Sequence, residues 1–155
     1  TAFLFRHYEP LIQQASIFAI FITLITGTAG NTGTQSLAVA IRKIGLHEEE
    51  QSFWKVLVQE GTTGLGIGLI SGAVVFGIVS LWQGNIVLGG IIGFAMFASI
   101  FVAALTGTCI PFALEKFDFD PSIASGPFIT TVNDLTTVLV YFTIVSQFIS
   151  VYLAK

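Results

Sequence analysis

The stretch PFITTVNDLTTVLVYFTIVSQFISVYL, Pro127 to Leu153, decides the fold. Its only ionisable side chains are Asp134 and the phenols of Tyr141 and Tyr152. As a helix it is long enough to cross the roughly 30 Å hydrocarbon core of a bilayer. Pro127 suits the first helical position, where no backbone donor is needed. The segment therefore reads as a membrane span from about 127 to 153, with Asp134 roughly 10 Å of rise inside it.

Composition agrees with that reading along the whole 155-residue chain. Hydrophobic residues make up 54%, charged residues 10%, and the mean hydropathy is +0.87. A soluble domain carries about 25% charged residues. Sixteen Gly and fifteen Phe also suit a helix bundle in lipid. The net charge of −3 leaves no basic patch for a nucleic acid. Cys109 is the single cysteine, so no intrachain disulfide forms; it reads as a small apolar packing residue.

Uncharged runs predict the other spans. Pro10 to Ile41 carries no ionisable group and would extend about 48 Å as a helix. That exceeds the hydrocarbon core, so the segment must tilt, project or break. The expected break is Gly27-Thr-Ala-Gly-Asn-Thr-Gly-Thr-Gln-Ser36, where three Gly and small polar residues weaken a helix. Backbone carbonyls freed at such a break can face hydrated ions. A second span is expected at 61–82 and a third at 86–114, joined by the turn Gln83-Gly84-Asn85. Pro111 should kink the third. The piece from Thr1 to Tyr8 reads as the stub of an earlier helix or as an interfacial segment. The prediction is thus an all-α polytopic membrane bundle, one pore domain over 1–155, with about four full spans and a stub of a fifth.

The connection 42–60 carries Arg42, Lys43 and Lys55, and the connection 115–126 carries Lys116; the turn 83–85 carries no basic residue. The bias of Lys and Arg toward the cytoplasm places both connections inside and the C-terminus outside. The acidic groups Glu48-Glu49-Glu50 and Asp118 with Asp120 read as solvated loops or as a cytoplasmic docking surface for cations or for a sensing domain. No basic n-region precedes a cleavable apolar core, so no signal peptide is expected. The chain holds no cytosolic regulatory domain, and any such domain is expected upstream.

Small residues mark the helix faces that meet. Gly64, Gly68 and Gly72 fall on one face, and Gly89 and Gly93 repeat the spacing. They read either as packing within one subunit or as a subunit interface or moving seam.

A carboxylate in a span costs about 2.5–3.5 kcal/mol on insertion scales, so Asp134 calls for a reason. It is either a neutral acid hydrogen-bonded to another helix or a group facing water and a cation. Thr130, Thr131, Asn133, Thr136 and Thr137 surround it in sequence, with Thr130 and Thr137 expected on its face. Mg2+ keeps several of its waters and needs only one or two carboxylates. Ca2+ prefers more direct oxygen ligands, and Zn2+ or Cu2+ would want His or Cys. His7 and His47, the only histidines, lie outside the uncharged cores. Enzymatic readings fail on supply. An aspartyl hydrolase needs a second carboxylate in a span, a zinc hydrolase needs His-Glu-x-x-His, and a serine hydrolase needs a base.

Two motifs narrow this further. Gly30-Asn-Thr-Gly-Thr-Gln-Ser36 resembles the glycine–asparagine signature of the MgtE family of magnesium channels. Pro111, Asp120-Pro-Ser122, Pro127, Thr130-Thr-Val-Asn-Asp134 and Tyr141-Phe142 resemble its tail, in the same order. The region of Glu9 is similar to the family segment after its first span. The resemblance implies five spans per subunit and a homodimer in the plasma membrane, with one pore passing Mg2+ inward. It implies that Asp134 holds the hydrated ion, that the backbone carbonyl of Thr130 joins that site, and that Gly27, Gly30 and Asn31 line the pore, with Thr34 beside them. It also implies cytosolic Mg2+-sensing domains in the full-length protein. Thr34 stands where some members have a second Asn, and Gly126 where some have an Asn. The alternative is a secondary transporter in which Asp134 binds a proton or Na+ to drive another solute.

Overall fold

The computed structural model describes the backbone of residues 2–46, 52–124 and 126–153, and the side chains of 16–46, 52–124 and 126–149. Among these residues four long helices follow one another: α1 (Ala2–Gly45), α2 (Phe53–Gln83), α3 (Ile86–Lys116) and α4 (Pro127–Leu153). A 3-10 turn, Pro121–Ala124, precedes α4. Each helix contains a segment long and apolar enough to cross a membrane. The chain is a polytopic helical bundle, as its composition requires.

α3 is the centre of the bundle. It is the most apolar helix and the most buried. It packs against α1, α2 and α4, whereas α1 and α2 barely touch. A helix apolar on every side belongs in such a position. Its contact with α2 is made by the small residues. A methyl placed on Gly72 would sit 2.7 Å from the Gly93 carbonyl oxygen, and one on Gly93 would sit 2.7 Å from that of Gly72. Gly64 faces Ala104, and Gly68 faces Phe97. The glycine faces therefore serve packing within one subunit, where they let two backbones approach closely.

The helix ends have local causes. Gly84 closes α2 at φ +63°, a conformation that favours glycine. Asn85 caps α3 by accepting a hydrogen bond from the Leu88 N–H at 3.0 Å. At the far end, Asp118 takes φ +59°. Its N–H donates to the Glu115 carbonyl at 3.0 Å, and the Phe119 N–H donates to the Leu114 carbonyl at 2.9 Å. This pair of bonds is the Schellman arrangement that stops a helix. Gly126, at φ +70°, sets the chain direction into Pro127.

Three expectations need correction. α1 does not break at Gly27–Ser36; it stays helical from Ala2 to Gly45. Each interior Gly costs a helix about 1 kcal/mol relative to Ala. Each backbone group left unsatisfied in lipid costs several kcal/mol, so continuity wins. The segment 2–8 is the beginning of α1 rather than a separate stub. α2 starts at Phe53, not at residue 61, because a helix can project beyond the hydrocarbon, so a charge such as Lys55 bounds the apolar span and not the helix; Glu60 lies inside α2 with 6% of its surface exposed. α3 runs on through a buried Pro111 to Lys116. Glu48, Glu49 and Glu50, His47, and the side chains of His7, Glu9 and Tyr152 lie outside the described residues.

One hydrogen bond ties α4 to α1. The Tyr141 hydroxyl, fully buried, donates to the Phe18 carbonyl at 2.8 Å. Tyr141→Phe should lower stability by about 1 kcal/mol, the ordinary net value of a buried hydrogen bond. Thermal unfolding in detergent measures this, and an unchanged midpoint would remove the bond from the account.

Candidate functional site

A groove of about 500 Å³ runs along the outer side of α1 and α4. α1 contributes Ile22, Thr23, Thr26, Gly27, Gly30, Asn31 and Thr34. α4 contributes Thr130, Asp134 and Val138. All six residues singled out in the sequence (Asp134, Thr130, Gly27, Gly30, Asn31 and Thr34) meet in this one groove.

Helical spacing explains the convergence. On α4, residues 130, 134 and 138 recur every four positions and share a face. On α1, residues 23, 26, 27, 30, 31 and 34 follow the 3-and-4 spacing of one helix face. The two faces meet where side chains are smallest. A methyl placed on Gly30 would lie 3.4 Å from Asp134 Oδ1, so the carboxylate faces bare α1 backbone. Asp134 is half-buried, while Asn31, Thr34 and Thr130 are exposed.

The hydroxyls are held in a defined state. Thr34 donates to the Gly30 carbonyl at 2.8 Å, and Thr26 donates to the Ile22 carbonyl at 2.7 Å. Thr130 donates to the Gly126 carbonyl at 3.2 Å. A hydroxyl whose one proton is used on the backbone keeps its lone pairs as acceptors. The groove thus offers one carboxylate among neutral oxygens. Among the described residues, no three His, Cys, Asp or Glu side chains converge. Such a donor set suits a cation that keeps its water shell better than one that must be stripped and caged.

The carbonyl of Thr130 lies one turn before Asp134 in continuous helix, so a second lone pair is what it has to offer an ion. The same holds for α1, whose carbonyls are not freed by a break. Thr131 and Thr136 donate to helix carbonyls at 2.8 and 2.7 Å and do not line the groove. Thr137 and Asn133 do not line it either. Both are buried on the inward face of α4, and their side-chain polar atoms have no hydrogen-bond partner among the described residues. Thr137 was expected beside Asp134, but the three-residue offset turns it into the bundle.

Inward of the groove, α1, α3 and α4 meet with almost no space. A methyl on Gly107 would overlap the Gly33 carbonyl oxygen and come within 3.0 Å of the Gly33 carbonyl carbon. A methyl on Gly33 would strike the Asn133 amide and come 3.0 Å from the Ala103 carbonyl oxygen. This seam sets the distance of α1 from α4 and therefore the width of the groove. Gly107 and the lining residues Thr23 and Thr26 were missed in the sequence. Reading 27–36 as a break hid the helical period that connects Thr23 and Thr26 to Gly30.

Comparison with known proteins follows the same residues. The sequence profile of MgtE, described as a divalent cation transporter, matches residues 22–144. The chain is 52% identical over 149 residues to the magnesium transporter MgtE of Enterococcus faecalis, covering 96% of this chain and 33% of that protein. It is 38% identical over 146 residues to the Bacillus subtilis magnesium transporter MgtE, covering 92% and 32% respectively. It is 29% identical over 145 residues to that of Thermus thermophilus. The chain spans about a third of the length of these curated relatives.

Proposed function

Because the chain belongs to the MgtE family of divalent cation transporters, we propose that it lines a Mg2+-selective pore in which Asp134 holds the hydrated ion. The observation that carries this reading is the single groove joining Asp134 to Thr130, Gly27, Gly30, Asn31 and Thr34. A lone carboxylate supplies charge without stripping the ion, and the neutral oxygens bind its waters. A cation passing the site must also be able to leave it, and one carboxylate reached through water is weak enough to allow that.

The groove is bounded by two helices and lies on the outside of the bundle. An aqueous path in a bilayer needs protein on every side. A second copy facing the first across a two-fold axis would close it and place two Asp134 carboxylates around one ion. The reading therefore includes a homodimer in the plasma membrane, the connections 42–60 and 115–126 on the cytoplasmic side, and Mg2+ passing inward. The relatives named as magnesium transporters support Mg2+ as the cargo. Their greater length is room for cytosolic sensing domains in the whole protein.

Mg2+ flux into vesicles holding the full-length protein tests the pore. Flux should persist with no proton or Na+ gradient. Strict dependence on either gradient would replace the pore by a coupled carrier with Asp134 as the coupling site. With Asn31→Cys, a bifunctional thiol reagent long enough to span a hydrated ion should join two copies; failure to join them while flux persists would count against the axis.

Gly30 gives a graded test. Gly30→Ala adds a methyl in ordinary contact with Asp134 Oδ1, so folding should be retained to within about 1 kcal/mol. The methyl takes space from the ion's water shell, and Mg2+ flux should fall severalfold. Flux equal to the parent's would mean that Gly30 does not bound the path.

A further inference from the structure

A second groove, sharing no residue with the first, opens between the start of α2 and the end of α3. It is about 590 Å³ and is lined by Phe53, Trp54, Cys109, Phe112, Ala113 and Lys116. We propose that it is a binding site for an anionic phospholipid, with an acyl chain along the aromatic floor and the phosphate on Lys116.

The position follows from topology. α2 and α3 are antiparallel and joined at Gly84-Asn85, so Phe53 and Lys116 lie together at the opposite end of the pair. That end is where two membrane spans meet water, the level at which phospholipid headgroups sit and at which Trp is favoured. The floor is apolar and built. The Phe53 and Phe112 rings meet edge to face at 5.2 Å, and Phe53 meets Trp54 in the same manner at 5.3 Å. Residues 109, 112, 113 and 116 recur at helical spacing, so α3 presents one continuous strip from Cys109 to the ammonium group.

The charge sits at the mouth. Lys116 is exposed in the last turn of α3 and has no ion-pair partner among the described residues. A lysine at a span end lays its methylenes along apolar surface and holds its charge at the headgroup level. Lys55, also exposed, lies next to Trp54 in the first turn of α2 but does not line the groove. Glu115 and Asp118 are exposed nearby but do not line the groove. An apolar trough closed at its polar end by a cation matches one anionic headgroup on an acyl chain. A zwitterionic lipid fills the trough equally well and gains less from the charge.

Trp54 supplies the readout. The full-length protein is placed in phosphatidylcholine vesicles doped with lipid brominated along its acyl chains, which quenches nearby tryptophan. The Trp54 signal is the difference between the parent and Trp54→Phe. Brominated phosphatidylglycerol should quench it at about fivefold lower mole fraction than brominated phosphatidylcholine. Lys116→Gln should abolish that preference, and Lys116→Arg should keep it. Equal quenching by the two lipids, or a preference that survives Lys116→Gln, would overturn the assignment. So would quenching by neither lipid, which would mean that protein covers the groove. Loss of preference in Lys116→Arg as well would show that structure rather than charge is at stake, and would also refute it.

Discussion

Asp134→Ala should abolish Mg2+ flux while the protein still folds. The carboxylate is half-buried, and its Oδ1 faces the bare backbone at Gly30. Placing it in a span costs about 2.5–3.5 kcal/mol, so removing it relieves the fold of a penalty rather than of a support. Stability should stay level or rise. What is lost is the only formal charge among the described residues that line the groove. Losing even about 3 kcal/mol of attraction for a divalent cation lowers its occupancy more than a hundredfold. Asp134→Asn is the sharper variant, because it keeps the shape and removes only the charge. Asp134→Glu should retain partial flux with altered selectivity. The measurement is Mg2+ uptake into vesicles, with thermal unfolding in detergent as the control for folding. Intact flux through Asp134→Ala would sink the assignment of this groove as the ion path.

The second large effect is expected far from any charge. Gly107→Ala would bring a methyl into the Gly33 carbonyl, with the Gly33 carbonyl carbon at 3.0 Å and its Cα at 3.2 Å. Helix propensity favours Ala by about 1 kcal/mol. Overpacking costs about 1–3 kcal/mol where a side chain can yield, and here the obstacle is backbone, which yields less. The steric term wins, and a net loss of about 2 kcal/mol is expected. α1 must also move away from α3, which shifts Gly30 relative to Asp134 and lowers flux beyond the loss of folded protein. Gly66→Ala is the control: nothing lies within 4 Å of a methyl there, so it should raise stability by up to about 1 kcal/mol and leave flux unchanged. If Gly107→Ala unfolds at the parent temperature, the seam does not set the groove's width.

Much of the site was legible before the fold. Asp134 was conspicuous because an ionisable group in an apolar run has no cheap explanation. The tail motif around it and the glycine–asparagine motif around Asn31 could each be read locally. Neither reading contained the distance between them. Gly30 and Asp134 are about a hundred positions apart in sequence, and they meet because α3 holds α1 and α4 side by side. The error at Gly27–Ser36 has a related origin. Glycine weakens a helix in water, but here α1 packs against α3 and α4 in lipid, where an opened backbone has nothing to bond. Propensity in an aqueous reference was the wrong scale for that segment.

The amino-acid sequence by itself determined the class of protein and the identity of the charged residue. Both depend on transfer between water and hydrocarbon, which acts residue by residue and adds along the chain. Only the tertiary structure decided which threonines face the groove and which turn inward, and that α1 stays whole. It also decided that the glycine stripes pack α2 on α3 within one subunit. Those outcomes depend on close contact between helices, where a single methyl at Gly33, Gly72 or Gly107 would change the spacing. Contact of that kind depends on pairs of distant residues and is invisible until the chain has brought them together.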